Sequence, residues 1–491
     1  MNRATASLLL SLLTAACGAP PRALAPGSGP RVVTPVVLSR APISSRDRVY
    51  AANQTSNTVS VIDPSAPNGG KLVGEIVLGA PRTEVLSPIY RGQLNVHGLG
   101  FAPDHRTLVV VSIGSNAVTF IDTTTNAVKG TAYIGRAPHE AFFTPDGGEV
   151  WASVRGEDHL SVIDPKTFKE TSRIAVASGP GMTLFRPDGR VAFVVSSFTG
   201  EVDVIDVQTK TIVARIPVVS PFSPDLFISA DGRELWMTHK DVGKVTVIDA
   251  QTYKVRTVLD TGPLTNHVAL VDLDAEHLAF VTVGGLNLVK VFTRAETPRL
   301  VATIPTGALP HGIWPSDDHT RVFVGLENGD GVAVIDVATR KELGRIPIGQ
   351  APQALVYVSN AVPEGAGTPN LAPLGESQRP VEMTLAPVDS KNGDARGSGL
   401  LVVRALGLID TVDINVFGLD PMRTYAVAIE EGVTRTLLAV LKTNTKGGGA
   451  AQVTGPVRRL IASPQSPNSA RRVVVVEDVA GAPVRLAVRL P

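Results

Sequence analysis

The chain has 491 residues, 46 of them Gly and 37 Pro, and 46 Lys and Arg against 45 Asp and Glu give a net charge of +1. That balance excludes the basic excess that a nucleic-acid backbone requires. No Lys/Arg-rich segment suits an anionic membrane surface, and no run of 18 apolar residues could span a bilayer. A single cysteine excludes an internal disulfide and a Cys-x-x-Cys metal site.

The N-terminal residues predict a targeting segment. A short positive start is followed by the apolar run from Leu8 to Leu13 and by small residues before Cys17, which is the order found in signal peptides. Leu13-Thr-Ala-Ala-Cys17 resembles the lipobox of bacterial lipoproteins. The resemblance implies that residues 1–17 are a signal peptide, that Cys17 is lipidated, and that the protein is anchored in the bacterial cell envelope, facing the periplasm or the exterior. The alternative is an ordinary signal peptide with an incidental cysteine.

A repeated signature, Val-Ile-Asp or a near variant, follows the Pro/Gly-rich residues 18–46, which we expect to form a tether. The signature recurs mostly every 42 to 44 residues, and a first interval of 59 implies an insertion. Its copies end at Asp63, Asp122, Asp164, Asp206, Asp249, Thr293 and Asp336. Each unit contains four short β-prone runs, here called a, b, c and d, separated by turn signals such as Pro-Asp-Gly. Four antiparallel strands per unit of this length predict the blade of a β-propeller.

The phase of the repeat predicts seven blades. Strand a should begin at residues 97, 139, 181, 224, 267, 311 and 353. The b, c and d runs of residues 48–78 have no preceding a run, and the a run of residues 353–358 has no following partners. We therefore expect these two fragments to complete one blade and close the ring over residues 47–359, since closure leaves only short, protected sheet edges.

The units resemble the YVTN-repeat propeller family. Ser56-Asn-Thr-Val-Ser-Val-Ile-Asp63 matches its c-strand motif, and Ser115 to Asp122 and Arg186-Pro-Asp-Gly189 fit closely. The resemblance implies a propeller of the surface-layer-like type, with lactonases and haem d1-binding domains related in architecture.

The period is lost after residue 359. Residues 360–379 read as a linker, and residues 380–491 show about eight alternating or apolar runs, which predict a β-sandwich domain. The runs are Val381–Pro387, Leu400–Arg404, Thr411–Val416, Thr424–Ile429, Thr436–Lys442, Val457–Ala462, Arg472–Glu477 and Val484–Arg489. Lys446 to Ala450 reads as a flexible loop. The fold class is therefore all-β: a closed seven-bladed propeller followed by a sandwich.

Histidines mark one position of the repeat. Strand a begins with His97, His139, His267 and His311 in four blades, and with Gly181, Pro224 and Gln353 in the others. Because strand a lines the channel of a propeller, these imidazoles, with Gln353, should surround one solvent-filled mouth. Neutral imidazoles suit a transition metal or a haem-type cofactor. The alternative is a structural role in which they bond neighbouring backbone.

Two functions remain open, since the chain contains no Gly-x-Ser-x-Gly, His-Glu-x-x-His or P-loop motif and the recurring aspartates read as turn residues. The first, which we favour, is a lipid-anchored, monomeric, non-enzymatic module that binds an envelope protein, a glycan or a small ligand. The second is a periplasmic propeller that carries a metal or haem-type cofactor, or a lactonase-like hydrolase.

Overall fold

A computed structural model describes residues 41–79, 94–375, 380–388, 396–405, 410–455, 457, 471–479 and 481–490. Cys17, the signal peptide, most of the tether and most of the run Val457–Ala462 lie outside these residues. The insertion in the first repeat falls largely on residues 80–93, which lie outside them too. None of the helices in the described ranges has the length and apolarity to cross a membrane.

The described residues form seven four-stranded antiparallel sheets, the blades of a β-propeller. Three strands of blade 1 are β1 (Arg48–Asn53), β2 (Thr58–Asp63) and β3 (Lys71–Val77). Blade 2 contains β4 (Val96–Phe101), β5 (Thr107–Ser112), β6 (Ala117–Asp122) and β7 (Val128–Tyr133). Blade 3 contains β8 (Pro138–Phe143), β9 (Val150–Val154), β10 (His159–Asp164) and β11 (Lys169–Ala175). Blade 4 contains β12 (Pro180–Phe185), β13 (Val191–Ser196), β14 (Glu201–Asp206) and β15 (Thr211–Pro217).

Blades 5 to 7 complete the ring, and the innermost strand of blade 1 follows them. Blade 5 contains β16 (Leu226–Ile228), β17 (Glu234–His239), β18 (Lys244–Asp249) and β19 (Lys254–Asp260). Blade 6 contains β20 (Thr265–Leu273), β21 (Glu276–Val283), β22 (Leu288–Thr293) and β23 (Leu300–Pro305). Blade 7 contains β24 (Pro310–Pro315), β25 (Arg321–Leu326), β26 (Gly331–Asp336) and β27 (Lys341–Pro347). Strand β28 (Pro352–Val358) belongs to blade 1. Short 3-10 turns occur at Pro67–Gly69 and Gly284–Leu286.

The ring closes as the repeat phase predicts. Strand β28 pairs with β1 in antiparallel register, from Arg48 opposite Val358 to Asn53 opposite Pro352. The Tyr357 hydroxyl donates a 2.6 Å hydrogen bond to Asp47, just ahead of β1. The two ends of the repeat region are thus joined by a strand pairing and by a buried side-chain contact, so the predicted closure is confirmed.

The repeated aspartates have the structural role that the sequence predicts. Asp122 Oδ1 accepts hydrogen bonds from the backbone N–H groups of Thr124 and Thr125 in the turn after strand c. Asp206 and Asp336 do the same three residues ahead, at 2.8 and 2.7 Å. Each bond satisfies a turn amide that strand pairing leaves free, so these carboxylates are turn-forming groups.

Strand a begins slightly earlier than predicted, and in blade 5 it begins later. It starts at Val96, Pro138, Pro180, Thr265, Pro310 and Pro352. The residue directly before it often has a positive φ, for example 51° at Ala137 and 52° at Leu309, which turns the chain sharply into the strand. Blade 5 has Pro224 one repeat position later than the prolines that begin strand a in other blades, and its β16 is reduced to Leu226–Ile228.

The C-terminal domain is one eight-stranded sheet, curled until its ends lie close together, rather than two clearly separate layers. Its strands are β29 (Val381–Pro387), β30 (Ser398–Ala405), β31 (Asp410–Phe417), β32 (Thr424–Glu431), β33 (Thr434–Lys442), β34 (Gly449–Gly455), β35 (Arg471–Glu477) and β36 (Val484–Arg489). The prediction of a loop over Lys446–Ala450 is wrong at its end. Strand β34 begins at Gly449, because Gly449 to Gly455 pairs with β31 in a segment of small residues that carries little β signal.

The segment after the ring is packed rather than detached. Asn126 Nδ2 donates to the carbonyl oxygens of Gly367 and Pro369, and Ala372 forms a two-residue bridge with Glu75. Most of the predicted linker, residues 360–375, therefore lies along blades 1 and 2.

Candidate functional site

The four histidines come together at one end of the central channel. His97 and His139 have ring centroids 4.3 Å apart, and those of His267 and His311 are 4.8 Å apart. His97 also approaches His311 edge-on at 6.4 Å, so the two pairs are contiguous. The predicted grouping is correct, but the predicted solvent-filled setting is wrong. The four side chains belong to residues only 3% to 7% exposed, because the first residues of strand a pack against the neighbouring blades.

Two of these imidazoles bond the next blade. His139 Nδ1 lies 3.0 Å from the carbonyl oxygen of Gly181, and His311 Nδ1 lies 2.8 Å from that of Gln353. The Gln353 side chain in turn donates to the carbonyl oxygen of Ala351. This is the contact that the structural alternative describes. It occupies only Nδ1, however: Nε2 of His139 stays available, whereas Nε2 of His311 lies 3.4 Å from Lys240 Nζ.

Charged residues that the sequence reasoning missed complete the cluster. Glu140 and Asp225 are buried beside the histidines: Glu140 Oε1 lies 3.7 Å from His97 Nδ1, and Asp225 Oδ1 lies 3.2 Å from His267 Nδ1. Lys240 Nζ lies 3.4 Å from His311 Nε2.

Lys240 and two further charged residues share one position of the repeat. Arg155, Lys240 and Glu327 each directly follow strand b of blades 3, 5 and 7, and all three are half-buried. The sequence could have indicated these rim residues, because a charged residue follows strand b in alternate blades. Strand b ends on the face where strand a begins, so these residues border the channel mouth.

Burial sets the protonation of the cluster. Desolvation lowers the pKa values of His97 and His139, and the Arg155 charge lowers them further. Burial and then Lys240 lower the pKa of His267 to about 3. Burial also raises the pKa of Glu140 and of Asp225 well above the usual carboxyl range. The imidazoles are therefore neutral at pH 7, with lone pairs that can accept a proton or bind a metal.

Some buried polar atoms of the cluster lack partners. Within the described part of the chain, His97 Nδ1, Glu140 Oε1 and His267 Nε2 make no hydrogen bond. Leaving a buried polar atom unpaired costs about 1–3 kcal/mol, so such atoms concentrated in one place indicate a site for a ligand, water or ion.

Apolar side chains close the channel below the histidines. Trp314 packs edge-on against Phe227 and Phe101, with ring centroids 5.3 and 6.4 Å apart. A small cavity lined by Glu140, Asp225 and the aromatic floor has room for about one water molecule. A haem macrocycle would not fit in this cavity.

The C-terminal domain contacts the mouth face. Arg404 on β30 is buried and donates to the carbonyl oxygen of Glu327 at 2.5 Å and to Asn328 Oδ1 at 2.6 Å. An apolar contact joins Leu400 and Val402 of β30 to Leu264 and Leu309, which precede strands a of blades 6 and 7. Asn444 Nδ2 also donates to Asp241 Oδ2 of blade 5 at 2.9 Å, so the domain borders the entrance beside blades 5 to 7.

The comparisons with known proteins agree with this fold. A family model described as lactonase, 7-bladed beta-propeller, matches residues 129–346. No match was found among curated proteins.

Solved structures give the same picture. The periplasmic gluconolactonase of Pseudomonas aeruginosa is similar with a TM-score of 0.50 and 20% identity, over 64% of this chain and 99% of that one. A functionally unknown protein from Desulfotomaculum acetoxidans gives a TM-score of 0.53 and 13% identity, over 63% and 98%. At these identities the similarity concerns the propeller fold alone.

Proposed function

We propose that this protein binds a small hydroxy-acid anion, or the uncharged lactone formed from it, at the channel mouth. The carrying observation is the buried cluster in which neutral imidazoles and two carboxyls converge on unpartnered polar atoms. The half-buried cations Arg155 and Lys240 stand at its rim and suit a carboxylate or a polarised carbonyl oxygen. The enclosed space at the cluster holds only about one water molecule, so the ligand would lie at the mouth and present a carboxylate or carbonyl oxygen to the cluster. We favour such a small molecule over the protein or glycan that the sequence left open.

Lactone hydrolysis is the second candidate, favoured by the family match over residues 129–346 and by the chemistry of the cluster. In this reaction a water oxygen attacks the carbonyl carbon, the ring C–O bond breaks, and the departing oxygen receives a proton. A neutral imidazole such as His97 can take the proton of the attacking water. The Glu140 carboxyl, whose pKa burial raises, can supply a proton to the leaving oxygen. Arg155 can stabilise the negative charge that develops on the carbonyl oxygen.

The test measures binding and turnover separately. Calorimetry with gluconate, with its lactone and with glucose tests whether the anion is preferred. A pH-stat assay on the lactone then detects turnover above the uncatalysed rate.

Lys240→Met and Arg155→Met should each weaken gluconate binding at least tenfold. Arg173→Met, an exposed cation on the outer strand of blade 3, is the matched control and should change nothing. Equal binding of glucose and gluconate by the parent, or no binding of either, rejects the proposal. Gluconate binding without lactone turnover rejects only the hydrolase.

We further propose that the protein acts in the bacterial envelope, held there by lipid on Cys17. The support for this location is the signal-peptide and lipobox pattern of residues 1–17. Several acyl chains would suffice as an anchor without a spanning helix, since each buried methylene contributes about 0.8 kcal/mol.

A further inference from the structure

We propose that His97, His139 and Glu140 bind a divalent transition-metal ion of the zinc type through three protein ligands, with a fourth position left for water or a ligand. The ligand atoms that these three residues offer all lie within 4.8 Å of one another, and all three residues are buried. The metal site shares His97 and Glu140 with the small-ligand site, but it rests on the geometry of the three side chains and is tested by metal binding alone, so either proposal can fail without the other.

The distance between two of the ligands supports a shared ion. His97 Nδ1 and Glu140 Oε1 are 3.7 Å apart, which is too long for a hydrogen bond, and neither atom makes a hydrogen bond of good geometry within the described residues. Two ligands of one tetrahedral zinc ion, each about 2.1 Å from the metal, are separated by roughly 3.4 Å. An ion placed between these atoms would therefore satisfy both with little movement.

The third ligand is already oriented. His139 Nδ1 lies 3.0 Å from the carbonyl oxygen of Gly181, a contact that places the ring proton on Nδ1 and the lone pair on Nε2. Metal-binding histidines in proteins usually have such a second contact, which fixes the tautomer and the ring direction. The contact that the structural reading assigns to His139 is therefore also the contact that a metal ligand needs.

A local irregularity of strand a explains how adjacent residues reach one site. Side chains at successive positions of a regular strand point to opposite faces, yet His139 and Glu140 both face the cluster. The pairing of β8 with β9 shifts register by one residue between Pro138 and Ala141, as in a β-bulge. The same shift occurs at the start of strand a in blades 2, 4, 6 and 7, so it is a feature of the repeat. Bulges re-aim side chains in this way and are frequent beside functional sites.

The donor set indicates the class of metal. Two imidazoles and one carboxylate suit zinc and its neighbours, whereas Ca²⁺ and Mg²⁺ prefer all-oxygen ligands. His267 and His311 fall outside this set, because His267 Nδ1 faces Asp225 and His311 Nε2 faces Lys240. The proposed metal site is therefore narrower than the four-histidine site that the sequence suggested.

The test uses untagged protein without the signal peptide, stripped of metal by a chelator. Zn(II) binding is measured by calorimetry, and Co(II) binding by the visible absorption that a tetrahedral site produces. We expect one equivalent of either metal per chain. His97→Asn and Glu140→Gln should each weaken Zn(II) binding at least 100-fold and abolish the Co(II) spectrum. Near-ultraviolet circular dichroism checks that each variant is folded.

Two further variants sharpen the result. His159→Asn removes another buried histidine of blade 3 and should leave Zn(II) affinity within threefold of the parent. His311→Asn separates the three-ligand site from the four-histidine site, and it too should bind Zn(II) within threefold. Loss of binding in His311→Asn equal to that in His97→Asn overturns the proposal. Unchanged binding in a folded Glu140→Gln, or no stoichiometric binding by the parent, overturns it as well.

Discussion

The contact between Tyr357 and Asp47 joins the two ends of the propeller, and its removal should destabilise the whole ring. The Tyr357 hydroxyl donates to Asp47 Oδ2 at 2.6 Å, while Asp47 also accepts from the backbone of Ser44 and Asn360. Burial, and then Asp47, raise the pKa of Tyr357, so its phenol keeps its proton and acts as the donor.

Tyr357→Phe keeps the aromatic ring in place and removes only this bond. No cavity opens, so the cost is the lost hydrogen bond to a buried carboxylate, which is about 1.5–3 kcal/mol. Tyr50→Phe is the matched control. Tyr50 is equally buried on the partner strand β1, but its hydroxyl only approaches the carbonyl oxygen of Thr123 at a weak 3.4 Å. The control should therefore cost less than about 1 kcal/mol.

Urea unfolding followed by tryptophan fluorescence measures the effect. The three tryptophans, Trp151, Trp236 and Trp314, lie in blades 3, 5 and 7, so the signal reports the ring and not the C-terminal domain. A lower midpoint with an unchanged slope in Tyr357→Phe shows that a change in blade 1 is felt around the ring. Equal midpoints for Tyr357→Phe and Tyr50→Phe would refute the reasoning.

Three other predictions concern distant parts of the chain. Burial, and then Lys244, lower the pKa of His239 from 6.5 to about 4, so its stabilisation is full above pH 6.5 and is lost as the pH falls toward 4. Acidification from pH 7 to 5 should lower the free energy of unfolding by about 2 kcal/mol through this group. Urea midpoints measured at the two pH values should therefore fall less in His239→Gln than in the parent protein. Arg404→Ala removes the bonds from β30 to the mouth of blade 7 and should speed hydrogen exchange of β30 amides more than tenfold, while the exposed Arg423→Ala should not. Cys17→Ser should move the protein from the membrane fraction to the soluble envelope fraction, or block its processing; unchanged fractionation without lipid on the mature N-terminus would contradict the anchor.

The ring architecture could be predicted because its determinants are local and repeated. Each unit supplies its own turn signal and its own β-branched b and c strands, so one period suffices to define a blade. Closure followed from counting, since the strands of residues 48–78 lacked a partner that residues 353–358 could supply. Pro224 is also visible in the sequence, but the shortening of strand a in blade 5 could not be predicted from it. The length of that strand depends on how the preceding segment enters the blade.

The candidate site was predictable only in part. The repeat placed the four histidines at the same height, and the structure brings them together. Their burial could not be read from the sequence, because it depends on how closely neighbouring blades approach. The role of Glu140 was hidden for a related reason: an alternating strand would have turned it away from His139, and only the bulge brings both to one point.

Departures from sevenfold symmetry decide where chemistry can occur in this ring. Duplication repeats every blade position at the same height, so a site requires blades that differ. Glu140 and Arg155 lie in blade 3, next to His97 of blade 2, and make that side of the mouth the place where a carboxyl, imidazoles and a cation meet. The contacts that Arg404 and Leu400 make from the C-terminal domain lie on blades 6 and 7. The C-terminal domain borders that side of the mouth, so a ligand would approach along blades 2 and 3. On this path it would meet Arg155 first, and the three proposed metal ligands lie directly behind Arg155.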